Sequence, residues 1–62
     1  MSAFGVRLKR WRRRAGLTQA AAAARLTTLS GVVVPASTYR KWEQGVQTPS
    51  PITAEFVKRI VS

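Results

Sequence analysis

Apolar residues recur along this chain at helical spacing, in groups separated by glycine and proline. Phe4, Leu8, Trp11 and Ala15 follow one another at steps of four, three and four, which is one stripe of a helix over about 3–15. Arg7, Lys9, Arg10, Arg12, Arg13 and Arg14 cover the rest of it, and Gly16 is placed to close it. Thr18 reads as an N-cap, Gln19 as a first-turn residue, and Ala20 to Ala24 have the best intrinsic helix propensity available. This predicts a second helix over about 18–26. Five consecutive small residues predict close approach to a neighbouring helix rather than large burial.

The segment from Thr27 to Pro35 reads as a loop. Its Val32-Val33-Val34 run suits packing beneath the next helix, a brief extended piece, or a face for a partner subunit, and the pattern does not choose among them. Pro35 suits the start of a third helix, over about 36–44. Tyr39 and Trp42 are three apart and share one side, joined by Val34. Ser37, Arg40 and Lys41 project from the other side, with Ala36 and Thr38 beside them, and Gly45 stops the helix. A helix this short does not hold itself together in water. Its aromatic side must be anchored in a core, which holds the Ser/Arg/Lys side outward in a fixed pose. Ser50-Pro51 then announces a fourth helix over about 51–61, with Ile52, Phe56 and Ile60 at steps of four, Val57 widening the stripe, and Lys58 and Arg59 near the C-terminal end.

Sixty-two residues make one all-α domain, a bundle of four short helices spanning 1–62, of marginal stability unless it associates. With 11 Lys and Arg against 2 acids, the formal net charge is +9. That excess implies an anionic partner, nucleic acid or a membrane surface, over a merely solvated basic surface. The chain has neither cysteine nor histidine, so no disulfide, no cysteine zinc site and no histidine base is expected. The only acids, Glu43 and Glu55, are too distant in sequence to be assumed a catalytic pair, so the reading is of a non-enzyme with no cofactor and no metal. No apolar run approaches the roughly 20 residues of a membrane span. The opening Met1-Ser2-Ala3-Phe4 lacks the features of a signal peptide, so an intracellular protein is expected. The outward face of the third helix is read as a face for DNA.

Leu17-Thr18-Gln19, Ala23 four residues after Gln19, Trp42-Glu43-Gln44-Gly45 and the later Pro49 form an ordered set. In it the chain resembles the helix-turn-helix domains of the Cro/CI repressor type, the XRE family, over roughly residues 4 to 61. The resemblance implies a lambda-repressor-like fold in which helices two and three form the helix-turn-helix and helix three lies in the major groove. It implies that Gln19 pins the start of helix two to the phosphate backbone. Ala36, Ser37 and Lys41 would face base edges, with Thr38 and Arg40 beside them for bases or phosphates. Ala23 would be the small residue where helices two and three cross, and Arg12 and Glu43 a structural pair tying helix one to the end of helix three. Two departures stand out. The family's turn from helix two to helix three is short, often with a glycine where Thr27 stands, whereas this chain has extra residues there. The fifth helix that carries the dimer contact in many members is missing.

The expected mechanism is binding without chemistry. Arg10, Arg14, Thr18, Gln19, Gln44 and Gln47 would fix the protein on phosphates, which carry affinity and salt dependence but little sequence information. Specificity would come from Ala36, Ser37, Thr38, Arg40 and Lys41 at base edges. One small helix reads few base pairs, so a homodimer on an inverted repeat is expected. By family analogy it would be a cytoplasmic repressor, prokaryotic or phage-encoded. A non-specific nucleic-acid binder and a cationic membrane-active protein are the rivals. An RNA module would show exposed aromatics for stacking, whereas all five aromatics here fall on stripes or on the core side of helix three.

Overall fold

Glycines with positive φ set the rhythm of the backbone. A computed structural model describes residues 3–61 and places α1 at Ala3–Arg14, α2 at Gln19–Ser30, α3 at Ala36–Gln44 and α4 at Pro51–Val61. No strand occurs among the described residues. Residues 1, 2 and 62 of the expected domain span lie outside them. After α1, the Leu17 and Gly16 amides donate to the Arg12 and Arg13 carbonyls at 3.0 and 3.1 Å. After α3, the Val46 and Gly45 amides donate to the Lys41 and Trp42 carbonyls at 3.0 and 3.3 Å. Both ends are thus the paired closure that satisfies the last carbonyls of a helix. Thr18 caps α2 as expected, its hydroxyl oxygen accepting from the Ala21 amide at 3.1 Å.

The largest difference from the sequence reading is in α2, which does not end near residue 26 but runs one turn further, to Ser30. Residues 27–30 are hydroxyl-rich and look loop-like, yet their hydroxyls bond back into the helix. Thr27, Thr28 and Ser30 donate to the Ala23, Ala24 and Leu26 carbonyls at 3.0, 3.2 and 2.6 Å, the pattern that lets Ser and Thr stay within a helix. The stop is Gly31, at φ 74° with its amide on the Thr27 carbonyl. L-residues with a Cβ resist that conformation. The turn to α3 is therefore only residues 31–35. The glycine sought at Thr27 sits four residues later, at Gly31. Of the valines, Val34 is buried while Val32 and Val33 face solvent.

α1 and α2 each pack against both α3 and α4, so the core forms where the four helices meet. Leu8, Leu26, Tyr39 and Val57 are completely buried at its centre, with Ala22, Ala23, Val34, Trp42 and Val61 around them. Phe4 meets Trp42 edge-on, ring centres 6.1 Å apart. The α1 stripe holds, with Leu8 buried and Phe4 and Trp11 packed against the core, except at its last residue, and the α4 stripe shifts. α1 ends at Arg14, leaving Ala15 exposed in the turn, and its buried line is Gly5 and Leu8. In α4 the buried residues are Val57 and Val61, whereas Ile52 and Phe56 are 73 % and 42 % exposed. The reason is rotation: positions 57 and 61 form their own step of four, and α4 turns that row inward.

Candidate nucleic-acid interface

The third helix is divided into two sides by burial. At roughly 100° per residue, Tyr39, Trp42 and Glu43 cluster on one side, and all three are buried. Ser37, Arg40, Lys41 and Gln44 cluster on the opposite side, and all are exposed. Ala36 and Thr38 stand on the two flanks, exposed and half-buried respectively. The five residues expected at base edges thus occupy one outward arc and its margins.

What holds that arc in place is a buried polar knot beneath it. The Arg12 Nε donates to Glu43 Oε2 at 2.7 Å and a terminal Arg12 nitrogen donates to Oε1 at 3.2 Å, the bidentate fork that suits guanidinium and carboxylate. Another Arg12 nitrogen donates to the Leu17 carbonyl at 3.2 Å, and the Gln19 Nε2 donates to Glu43 Oε1 at 3.2 Å. One carboxylate therefore joins α1, the start of α2 and the end of α3. Burial alone would raise the Glu43 pKa. The hydrogen bonds offered to the ionised carboxylate, Arg12's foremost, outweigh it, and the pKa lies below its ordinary value. The same bond to Glu43 raises the pKa of Arg12. The Tyr39 hydroxyl donates to the Leu8 carbonyl at 3.3 Å, and burial first, then the neighbouring Glu43 carboxylate, holds that phenol well above its usual range.

Gln19 was expected at a phosphate. Its amide nitrogen instead uses one of its two hydrogens on Glu43, so any phosphate bond would be made by the second. Thr18, Gln44 and Gln47 are exposed near it or after α3. The basic residues of α1 divide into two rows. Lys9 and Arg13 line an open cleft of about 480 Å³ with Gly5, Gln19, Glu43 and Gln44, against α3. Arg7, Arg10 and Arg14 line a different one beside Val61 of α4. Arg10 stands between the rows, sharing a shallow groove with Lys9 and Arg13. Arg14 is not brought to the α3 side. The sequence reading gave the Arg and Lys of α1 to phosphates as a group, singling out Arg10 and Arg14, although a signal that sets Lys9 and Arg13 apart existed. Gly5, Lys9 and Arg13 lie on one row at steps of four, and a glycine inside a helix marks a close neighbour. At Gly5 that neighbour is the backbone of α3, since a Cβ there would come within 2.8 Å of the Trp42 carbonyl oxygen.

No group of three or more potential metal-binding side chains occurs among the described residues, and none of their helices is long and apolar enough to cross a membrane. The model of a helix-turn-helix domain family matches residues 3–62. No curated protein and no solved structure matches the chain.

Proposed function

The chain belongs to the helix-turn-helix family whose model spans residues 3–62, and from that premise we propose that it is a sequence-specific regulator of transcription, a repressor of the Cro/CI kind. α3 enters the major groove with Ser37, Arg40 and Lys41 at base edges. Arg40 or Lys41 suits a guanine O6/N7 edge, and the methyls of Ala36 or Thr38 suit a thymine methyl. Thr18, Gln19, Gln44 and Gln47 meet phosphates around it. The observation that carries this reading is the outward Ser37–Arg40–Lys41–Gln44 arc on a helix whose other side is locked by Tyr39, Trp42 and Glu43. A side chain that reads bases must be held in register, and this one is mounted on buried groups.

A single short helix spans few base pairs, so two copies act on an inverted repeat. Val32 and Val33, or Ile52 and Phe56, supply exposed apolar surface for the second copy. The protein works in the cytoplasm, on the promoter of its own operon among others.

Fluorescence anisotropy with the DNA flanking its own gene, beside a scrambled duplex and across a salt series, tests the reading. A preference of about 10³ or more at physiological salt, with two chains per site, is the expected result. Equal binding to both duplexes, collapsing together as salt rises, would leave only the +9 charge at work.

A further inference from the structure

The cleft between α1 and the C-terminal end of α3 is a site in its own right. We propose that it seats one backbone phosphodiester of the bound DNA, held by Lys9 and Arg13 from α1 with the side-chain amides of Gln19 and Gln44. This inference rests on the DNA reading above and names which cations of α1 serve it.

Three observations carry it. First, the walls are cationic and the floor is neutralised. Glu43 is the acid lining the cleft, and its carboxylate is already gripped by Arg12 and Gln19. Lys9 and Arg13 therefore face a site whose own negative charge is balanced, and an incoming anion meets their full charge. Secondly, the cleft adjoins the reading surface, since Gln44 belongs both to its lining and to the exposed arc of α3 with Ser37 and Lys41. A duplex whose groove accepts α3 must pass a strand beside Gln44. Thirdly, the second basic row opens elsewhere: Arg7, Arg10 and Arg14 gather beside Val61 at the end of α4. The phosphate anchor of α1 is thus its Lys9–Arg13 row rather than the more numerous arginines. Gly5 creates the seat, because it brings the α3 backbone against α1 and so brings Gln44 opposite Lys9 and Arg13.

The test compares two charge-matched double variants of the full chain on the DNA flanking its own gene. Lys9→Gln with Arg13→Gln removes the seat, and Arg7→Gln with Lys58→Gln removes the same charge elsewhere. Circular dichroism melts should match the parent for both, since all four side chains are exposed. For the Lys9/Arg13 variant the slope of log K against log salt should shrink by about 0.9, the change for one phosphate released. The Arg7/Lys58 variant should shift it by less than half as much. In the parent, one neutral methylphosphonate should weaken binding at a single backbone position, and that penalty should vanish in the Lys9/Arg13 variant. Equal slope changes in the two variants, or an undiminished penalty, would overturn the seat while leaving DNA binding intact. A parent that binds no duplex would overturn the DNA reading, and the phosphodiester with it.

Discussion

A methyl group added at Gly5 would lie 2.6 Å from the Glu43 carbonyl oxygen and 2.8 Å from that of Trp42. Both are backbone atoms within α3, so neither can swing aside. Alanine is the better helix former by up to about 1 kcal/mol, but overpacking at such a contact costs about 1–3 kcal/mol. Gly5→Ala should therefore lower the melting temperature, on the order of 5 °C for a domain of this size. A raised melting temperature would mean that α1 and α3 do not touch there. Glu43 is the second sensitive residue. Its side chain is 5 % exposed and that of Arg12 17 %, so the pair stands near the buried limit. Glu43→Gln, which strands the Arg12 charge, should cost about 3 kcal/mol at neutral pH. Because the folded pKa of Glu43 is lowered from 4.5, its ionisation contributes fully above the unfolded value and is lost as pH falls through the folded one. Urea titrations of parent and Glu43→Gln should thus diverge at pH 7 and draw together as pH falls below 4.5 and through the lowered folded value. A gap that stayed constant across that range would rule out the ionised pair as its source.

At the level of elements, the join between α2 and α3 decides how the reading face is presented. Thr27 works on both sides of it. Its hydroxyl donates to the Ala23 carbonyl at 3.0 Å and accepts from the Val34 amide at 2.8 Å. Thr27→Val keeps the shape and leaves that amide without its acceptor, a cost of about 1–3 kcal/mol. Faster hydrogen exchange at the Val34 amide, with weaker binding to the specific duplex, is the expected signature. Unchanged exchange would mean that the turn is held by other contacts. The rotation of α4 has its own test: Val57→Ala should cost about 2 kcal/mol, whereas Ile52→Ala should stay within about 0.5 kcal/mol. Denaturant midpoints that ranked these two the other way would put Ile52 in the core in place of Val57.

For the molecule as a whole, stability of roughly 3–9 kcal/mol is to be expected at this length, so fold and function should separate cleanly under mutation. Trp42→Ala removes a buried ring that packs on Phe4, at about 3–5 kcal/mol, and should lower the melting temperature far more than any change on the outward arc. Arg40→Ala and Lys41→Ala change exposed side chains and should leave the melting curve nearly unmoved while weakening specific binding by about 1–3 kcal/mol where a guanine contact is lost. Calorimetry beside anisotropy checks both. If both variants bound the native duplex as tightly as the parent, the outward arc of α3 would not be the reading face.

Residues alone were enough for the four helices, the Thr18 cap and the outward arc of α3, while the joining of Arg12 to Glu43 came from the family resemblance. These are local or strongly paired features: a glycine stop, an apolar period, an acid in an arginine-rich chain. Three matters were decided only in the folded structure, the first by contacts within one helix and the other two by contacts between helices. The length of α2 depended on whether the hydroxyls of Thr27, Thr28 and Ser30 found carbonyls within a helix, and Gly31 was the one local sign that they would. The buried row of α4 depended on its rotation against α1 and α2, because Ile52–Phe56–Ile60 and Val57–Val61 are both apolar rows at the same period. The division of α1's cations depended on which flank α3 covers, since Arg7, Lys9, Arg10, Arg13 and Arg14 are all solvent-facing. Periodicity finds a helix and its polar side, but only a neighbouring helix gives that polar side a direction.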